Sequence, residues 1–347
     1  MNFCSAINLA IKSAMREDPS VFCYGIGAPD HKEIFGTTAG LVSEFGGDRC
    51  LDTPISEDSL AGFGLGASLA GLKPVNIHIR VDFLLLAINQ IANAISSYRY
   101  GANGTVDVPI TFRAVVGRGW GQGYQHSKSL HSYFAHLPGL EVYIPTTIHD
   151  AYSYTKAAIL SPNPSVVLEH RWLYWQEADV TETELNGTCD IASELGESSS
   201  LPQVVVITTS WMGVEAALAK AFLADRGIEI IVISYGILHK DLPEWVFDKI
   251  NRVGKVVVAD NDWQEFGASG EIASKISERC FANLKRPVKR LGWRFVPCPT
   301  ARHLENEMYR DANDVLTAVY DLLEETNRAF ISDDRINSHE NRFKGPF

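Results

Sequence analysis

The sequence predicts an α/β fold, in which a doubly wound parallel sheet is followed by a smaller α/β domain. Two observations support this prediction. Apolar runs of strand length alternate with helical segments from residue 5 to residue 169, and a second alternating series begins after residue 203. Because neighbouring parallel strands are joined by helical crossovers, such alternation favours parallel sheets over antiparallel ones.

The first series starts with an amphipathic helix, Ser5–Arg16, and a buried strand, Val21–Tyr24, that stops at Gly25. Residues 57–72 are rich in Gly and Ala at helical spacing. Each Gly would weaken an exposed helix by about 1 kcal/mol, so we expect this helix to press closely against another backbone. The remaining predicted elements alternate between strand and helix: Pro74–Val81, Leu84–Tyr98, Val108–Val116, Ser129–His136, Glu141–Ile144, Asp150–Leu160 and Ser165–Glu169.

Residues 176–202 separate the two series. This stretch is polar, carries acidic residues throughout and ends in Ser198–Pro202, so we interpret it as a linker. The elements predicted after it are Val204–Thr208, Gly213–Arg226, Ile228–Ile233, Leu242–Asn251, Val256–Asp260, Ser269–Phe281 and Asp311–Thr326. The predicted division is a first domain at 1–175, a linker at 176–202, a second domain at 203–330 and a polar tail at 331–347.

Composition and charge limit the function classes. The chain has 347 residues, 46% of them hydrophobic, and a net charge of −11 with no cluster of basic residues, so we expect no nucleic-acid partner. Six scattered cysteines without a CxxC pair argue against a zinc site or a disulfide framework and favour a reducing compartment, the cytoplasm. No apolar run reaches about 18 residues, and we see no targeting segment, so we expect no membrane span.

The segment Asp52-Thr-Pro-Ile-Ser-Glu57 is the most informative motif. Its turn delivers the Glu57 carboxyl to the start of the Gly-rich helix. An acid at this position is favoured by the helix dipole and has a purely structural interpretation as a cap. The functional interpretation is a carboxyl group held in a poorly solvated cleft, where its affinity for a proton is tuned for proton transfer.

The segment from Asp52 to Pro74 resembles the pyrimidine-binding motif of the beta subunits of pyruvate and branched-chain 2-oxoacid dehydrogenases, which belong to the transketolase-like superfamily. Shorter matches follow in the same order along the chain: Asp82-Phe83, Asn89-Gln-Ile91, Tyr98-Arg-Tyr100, Val108-Pro-Ile-Thr-Phe-Arg113, Tyr124-Gln-His-Ser-Lys-Ser-Leu130, Phe134–Leu140, Asn163-Pro164 and Trp263-Gln-Glu-Phe-Gly267. Together they cover nearly the whole chain. The resemblance implies a thiamine-diphosphate pyrimidine-binding domain at 1–175 and a transketolase C-terminal-like domain at 203–330.

The resemblance also implies three site residues. A family glutamate at the position of Glu57 hydrogen-bonds the pyrimidine nitrogen N1′ of thiamine diphosphate and thereby promotes activation of the cofactor. Phe83 matches an aromatic residue that packs on the pyrimidine ring, although by itself it would be interpreted as a core Phe. His126 matches a catalytic histidine at the substrate end of the cofactor, where it would help acyl transfer to a lipoyl group. A loop His of this kind could otherwise be a solvated or capping residue.

Cations and partners are implied as well. The family binds a monovalent cation, usually potassium, through carbonyl oxygens near Ile110, Ala158, Ile159, Ser161 and Asn163. This chain has Ser161 where the family often has Asp, so the segment could equally be a plain loop. The Gly-Asp-Gly segment that holds magnesium and pyrophosphate is missing, so an alpha subunit is expected to supply it. We therefore expect a heterotetramer with a second beta subunit, with residues 62–71 as an interface helix, and a lipoyl acyltransferase core as a further partner.

Several departures from the family pattern affect the expected reaction. Ile26 and Gly27 stand where relatives carry acids, Arg80 falls unusually near the cofactor, and Asp260-Asn261 replaces a pair of glutamates. The leading prediction is a beta subunit that decarboxylates a 2-oxo acid. One alternative is transfer of a two-carbon or acyl unit to a sugar or another carbonyl, as in split transketolases. Another is a non-catalytic assembly subunit, which the presence of both Glu57 and His126 disfavours.

Overall fold

A computed structural model describes residues 1–30, 34–118, 121–185, 187–197 and 201–332 of the chain. Its first half is built on a six-stranded sheet in which every neighbouring pair is parallel, in the order β2-β1-β3-β4-β6-β5. The strands are β1 (Val21–Tyr24), β2 (Cys50–Leu51), β3 (Lys73–His78), β4 (Thr111–Val116), β5 (Glu141–Tyr143) and β6 (Ser165–His170). Strands β1, β4 and β6 are buried along their whole length, as expected for a sheet that is covered on both faces.

Helices cover both faces of this sheet. They are α1 (Phe3–Glu17), α2 (Leu41–Phe45), α3 (Glu57–Leu69), α4 (Val81–Leu84), α5 (Ser96–Gly101), α6 (His131–Ala135) and α7 (Ile148–Leu160). Neighbouring residues of β4 point to different cores, because Val115 packs with α1 and α7 whereas Ala114 and Val116 pack with α4 and the segment after it. This two-sided packing confirms the predicted doubly wound parallel sheet.

The second half forms a smaller five-stranded sheet in the order β11-β10-β8-β9-β7. Its strands are β7 (Ala192–Glu194), β8 (Val204–Thr208), β9 (Ile230–Tyr235), β10 (Val256–Trp263) and β11 (Lys289–Trp293). The helices of this half are α8 (Glu182–Leu185), α9 (Met212–Ala224), α10 (Glu244–Val253), α11 (Ala268–Cys280), α12 (Arg302–Met308) and α13 (Ala312–Leu323). All pairs are parallel except the edge pair β7–β9, so this half is also of the α/β class.

The stretch 176–202 is more structured than its polar composition indicates. It carries α8, and its strand β7 pairs with β9 at the edge of the second sheet. Asn186 and residues 198–200 of this stretch lie outside the described residues, as do residues 333–347 of the predicted tail. In the part of the chain that the structure describes, no helix is long and apolar enough to cross a bilayer.

The two halves meet through a buried polar junction. His131 Nε2, at the start of α6, lies 2.8 Å from Asp260 Oδ1 on β10, and the Ser132 hydroxyl donates to Asp262 Oδ2 at 2.8 Å. A second contact lies beside it, because the carbonyl oxygen of Ser127 accepts from Cys298 Sγ at 3.6 Å. The second half therefore holds both ends of a short segment of the first half that begins next to His126.

Candidate active site

A cavity of about 460 Å³ opens at the carboxyl edge of the first sheet. It is lined by residues that follow β1, by the end of β3 and the segment after it, and by residues after β4. In the sheet, β2 lies on one side of β1 and β3 lies on the other side, so the strand order reverses at β1. The cavity lies at this point of reversal. Open α/β sheets bind their ligands at this position.

The wall of the cavity is mostly apolar. Its hydrophobic side chains are Ile26, Phe35, Ile55, Leu60, Ile77, Ile79, Phe83 and Leu86. The close approach of two strands at its floor requires glycine at position 25, because a Cβ there would lie 2.5 Å from the carbonyl oxygen of Ile77. Such a wall suits an apolar part of a ligand, with the few polar groups fixing its orientation.

Glu57 brings a carboxyl group into this apolar wall. It is the first residue of α3, and its preceding residue, Ser56, makes no side-chain cap. The residue is only 9% exposed, yet its carboxyl group forms no hydrogen bond or ion pair with any described residue. The carboxyl group therefore does not cap its own helix, and it is available to a group that enters the cavity, with favourable electrostatics from the helix N-terminus.

Phe83 and His126 lie together in the same cavity. Their rings meet edge to face, with centroids 5.3 Å apart and an interplanar angle of 83°. Phe83 belongs to α4 and is 40% exposed, so it is a wall residue and not an ordinary core Phe. The pKa of His126 is lowered, first by burial and then by the positive charge of Arg80, which favours a neutral imidazole at pH 7. Gly119 and Trp120, in the Gly-rich loop before His126, lie outside the described residues.

The polar end of the cavity contains residues that sequence reasoning did not assign. Arg80 lies between β3 and α4, not within a strand, and its guanidinium donates to the carbonyl of Gly117 at 2.8 Å and to the side-chain oxygen of Gln122. His78 lies 2.6 Å from Asn76 Oδ1, and burial lowers its pKa to about 4, so it is neutral. The signals in the sequence for this end of the cavity were two departures from the family pattern, Ile77-His78 in place of Glu-Phe and the unusual Arg80.

The carbonyls predicted to bind a monovalent cation already take part in hydrogen bonds. The carbonyl oxygen of Ile110 accepts from Ser165 N at 2.9 Å, and that of Ala158 accepts from the Thr111 hydroxyl at 3.0 Å. The Ala158 carbonyl also accepts from the Ser165 hydroxyl at 3.2 Å, whereas the Ile110 carbonyl keeps a second lone pair. The site at Ile110, Ala158, Ile159, Ser161 and Asn163 stays a prediction. Among the described residues, no group of three or more His, Cys, Asp or Glu side chains is arranged to hold a metal ion.

Two α/β units, with a carboxyl group in a cavity at the switch point of the first sheet, define the class of two-domain proteins with the transketolase fold. The chain belongs to the transketolase family: residues 1–176 match the transketolase pyrimidine binding domain, and residues 197–315 match the transketolase C-terminal domain. Members of this family use thiamine diphosphate. The resemblance stated from the sequence motifs is therefore confirmed.

The relatives narrow the family further. The chain is 32% identical to pyruvate dehydrogenase E1 component subunit beta-1, mitochondrial, of Arabidopsis thaliana, over 92% of this chain and 88% of that protein. It is also 32% identical to 2-oxoisovalerate dehydrogenase subunit beta of Bacillus subtilis, over 93% of this chain and 99% of that protein. These two relatives are beta subunits of 2-oxoacid dehydrogenases, the group that the sequence motifs predict.

A solved structure supports the fold. The split gene transketolase in an inactive beta4 tetramer superposes with a TM-score of 0.68, covering 93% of this chain and 98% of that one, at 20% identity. At this identity the likeness concerns the fold, which is confirmed as two-domain and transketolase-like.

Proposed function

We propose that this chain is the beta subunit of a thiamine-diphosphate-dependent enzyme that, together with an alpha subunit, decarboxylates a 2-oxo acid and passes the acyl group to a lipoyl acceptor. One observation carries the proposal: Glu57 is a buried carboxyl group without a partner among the described residues, and it faces an apolar cavity at the switch point of the sheet. When bound, thiamine diphosphate supplies the electron-accepting ring that makes loss of carbon dioxide from a 2-oxo acid feasible.

The residues of this cavity fit the pyrimidine half of the cofactor. Glu57 would share a proton with ring nitrogen N1′, a role that needs a carboxyl group shielded from water. Phe83 would lie against the ring, and the apolar wall formed by residues such as Leu60 excludes water from that bond. His126 would hold or accept a proton at the substrate end, because its lowered pKa keeps the imidazole neutral and able to do both.

The pyrophosphate and its Mg²⁺ are assigned to the alpha subunit, because no Gly-Asp-Gly segment occurs in the sequence. Exposed apolar side chains support an interface for the alpha subunit or a second beta subunit. Those on or next to α3 are Ile55, Phe63, Leu69 and Leu72, and those on α5 are Tyr98 and Tyr100. We further propose a heterotetramer that docks on a lipoyl acyltransferase core and retains a potassium site at the carbonyls named above. The six free thiols support the cytoplasm as its compartment.

Substitution of Glu57 in the purified alpha–beta complex tests the proposal. We expect Glu57→Ala to lower kcat for 2-oxo acid decarboxylation, followed with an artificial electron acceptor, by about 10²–10⁴-fold, because it removes the proton partner of the ring. The control is Glu244→Ala, which removes a glutamate at the same first position of another helix, α10, that does not line the cavity. Full activity of Glu57→Ala would contradict the assigned role, and inactivity of the unmodified complex on every 2-oxo acid would contradict the proposed reaction.

A second candidate function keeps the cofactor and changes the acceptor. The polar end of the cavity around Arg80 and Gln122 suits a more polar substrate than pyruvate, which favours transfer of a two-carbon or acyl unit to a sugar or another carbonyl. Ketose consumption in the presence of an aldehyde acceptor would distinguish this activity from decarboxylation with lipoyl transfer. A lipoyl acyltransferase gene beside the coding gene would favour the first function, and sugar-modifying genes would favour the second.

A further inference from the structure

Arg80 brings a buried positive charge to the wall of the cavity. Its side chain lines the cavity although the residue is only 4% exposed. Its guanidinium donates to two neutral acceptors, the carbonyl of Gly117 and the amide oxygen of Gln122, and it forms no ion pair with a carboxylate among the described residues. Asp82, the acid nearest in sequence, is already paired with Lys128, whose Nζ lies 2.7 Å from Asp82 Oδ1.

A second guanidinium, that of Arg171, lies close to that of Arg80. Arg171 is fully buried, and its Nη1 donates at 2.7 Å to the same oxygen of Gln122 that Arg80 contacts. Its guanidinium also lies over the ring of Phe35, 5.4 Å from the centroid, and Phe35 is another wall residue. Burial lowers the pKa of Arg80 to about 10 and that of Arg171 to about 9, both still high enough for a positive charge at pH 7.

Two cations that share one neutral amide make this end of the cavity electropositive. Arg80 makes no direct ion pair among the described residues, and the charge of the more distant Asp82 only partly offsets the cost of burying its guanidinium. A bound anion would offset the rest. A guanidinium presents parallel N–H donors that match a carboxylate or a phosphate. The arrangement therefore suits an anionic group of a ligand in the cavity.

The chemistry of decarboxylation distinguishes which anionic group this is. The carboxylate next to the 2-oxo group leaves as neutral carbon dioxide, so a cation that holds it stabilises the substrate more than the transition state and slows the reaction. An anionic group that survives the reaction keeps its charge throughout. Tight binding of such a group does not oppose the chemical step.

Building on the function proposed above, we propose that Arg80 binds a second anionic group of the substrate, a carboxylate or a phosphate remote from the reacting carbonyl, and that Gln122 and Arg171 position its guanidinium. The substrate class is then a dicarboxylic 2-oxo acid or a phosphorylated keto compound, and not a simple aliphatic 2-oxo acid.

Binding of unreactive probes tests the subsite without turnover. Calorimetry on the alpha–beta complex loaded with thiamine diphosphate and Mg²⁺ compares glutarate with valerate, which has the same chain length and one carboxylate fewer; inorganic phosphate is a third probe. We expect glutarate or phosphate to bind at least about 10-fold more tightly than valerate. Arg80→Met should abolish that difference, and the control Arg252→Met, which removes an exposed arginine at the end of α10, should preserve it.

A charge-neutralising variant covers the case in which Arg80→Met fails to fold. Gln122→Glu places a carboxylate between the two guanidiniums, so it should stabilise the protein while removing the preference for glutarate or phosphate. A preference for glutarate alone identifies a carboxylate substrate, and a preference for phosphate alone identifies a phosphorylated one.

Activity provides the second arm of the test. If the anionic group is a carboxylate, we expect kcat/KM of the complex to be at least about 10-fold higher for 2-oxoglutarate than for 2-oxovalerate. If it is a phosphate, we expect the same ratio for fructose 6-phosphate over fructose, each with an aldehyde acceptor. In Gln122→Glu the preference for the anionic substrate should disappear. Equal binding of glutarate, phosphate and valerate by the unmodified complex would overturn the inference. Efficient turnover of 2-oxovalerate with no effect of Arg80→Met would also overturn it while leaving the proposed decarboxylation intact.

Discussion

The two charged residues of the cavity differ in how far the sequence reveals them. Glu57 was singled out because the Pro-Ile-Ser-Glu turn and the following Gly-rich helix are contiguous in the chain, and the family resemblance implied its role. The surroundings of Arg80 could not be predicted, because its partner Gln122 is 42 positions away and Arg171 is 49 positions from that partner. A sequence pattern reports residues that are close along the chain, whereas this end of the cavity is assembled by tertiary packing.

The protonation of His126 gives a prediction at the same scale. Because its pKa is lowered below the ordinary value of 6.5, we expect kcat/KM to fall on the acid side only below that pH. In Arg80→Met the fall of kcat/KM on the acid side should move to higher pH. The reason is that this substitution removes one of the positive charges that lower the pKa of His126. The measurement is a pH profile of the alpha–beta complex.

His126→Asn provides the comparison. This variant should lose about 10²–10⁴-fold in kcat and show no acid limb, because it removes the titrating group. An acid limb that persists unchanged in His126→Asn would assign the titration to another residue.

Helix α3 shows that its glycines have different roles. A Cβ at Gly64 would lie 2.3 Å from the Tyr24 hydroxyl and 2.4 Å from Ile110 Cδ1, so this residue presses against core side chains and not, as predicted, against another backbone. A Cβ at Gly66, one residue beyond Leu65, meets nothing within 4 Å. Within this chain, close packing therefore requires glycine at position 64 but not at position 66.

A matched pair of alanine variants follows from this difference. We expect Gly64→Ala to destabilise the free chain by about 1–3 kcal/mol through overpacking. Gly66→Ala should stabilise it by up to about 1 kcal/mol, because it improves helix propensity without a clash. Urea unfolding of both variants measures the two effects, and equal destabilisation by both would show that the packing of α3 is described wrongly.

The open side of α3 leads to a prediction about assembly. If the face with Gly66 and the exposed Phe63 contacts another subunit, Gly66→Glu should weaken the complex while the free chain stays folded. Gly47→Glu adds the same charge at another glycine with open space around it. Sedimentation of the alpha–beta mixture should then show dissociation for Gly66→Glu only, and intact complexes for both variants would place the interface elsewhere.

Elements with a strong local signal were predicted well, and elements fixed by packing were not. The strand Val204–Thr208 was predicted with its observed bounds, because five apolar or β-branched residues stand between polar segments. The predicted helix Leu84–Tyr98 is instead divided into α4, a 3-10 turn, a π-helical segment at Gln90–Ile95 and α5. Strand β11 was missed because its sequence, Lys-Arg-Leu-Gly-Trp, gains strand structure only through pairing with β10.

At the scale of the whole molecule, the junction of the two halves depends on one buried histidine. Burial disfavours the charged form of His131, but the carboxylates of Asp260 and Asp262 outweigh that effect and raise its pKa to about 8. The partners are 129 positions apart, so no local sequence pattern indicates the pair. Above that pKa the imidazole loses its charge while Asp260 stays ionised.

This junction predicts how stability depends on pH. A pKa raised from 6.5 to about 8 in the folded state contributes stability that is fully present below pH 6.5 and is lost as the pH rises through 8. The loss should be about 2 kcal/mol in the free energy of unfolding. We expect it in urea titrations of the unmodified chain between pH 6 and pH 9.

His131→Gln is the matched variant for this prediction, because its amide can still donate to Asp260 but does not titrate. The stability difference between pH 6 and pH 9 should shrink by the same amount in this variant. An unchanged difference would mean that another group is responsible.

The hydrogen bond between the C-terminal half and Ser127 has a consequence for how such proteins evolve by recombination. The thiol of Cys298 donates to the carbonyl of Ser127, the residue that follows His126. A chimera that joins the N-terminal half to the C-terminal half of a distant relative would be expected to fold as two units yet hold the loop around His126 in the wrong place. Recombination between genes would therefore tend to transmit the two halves as a matched set.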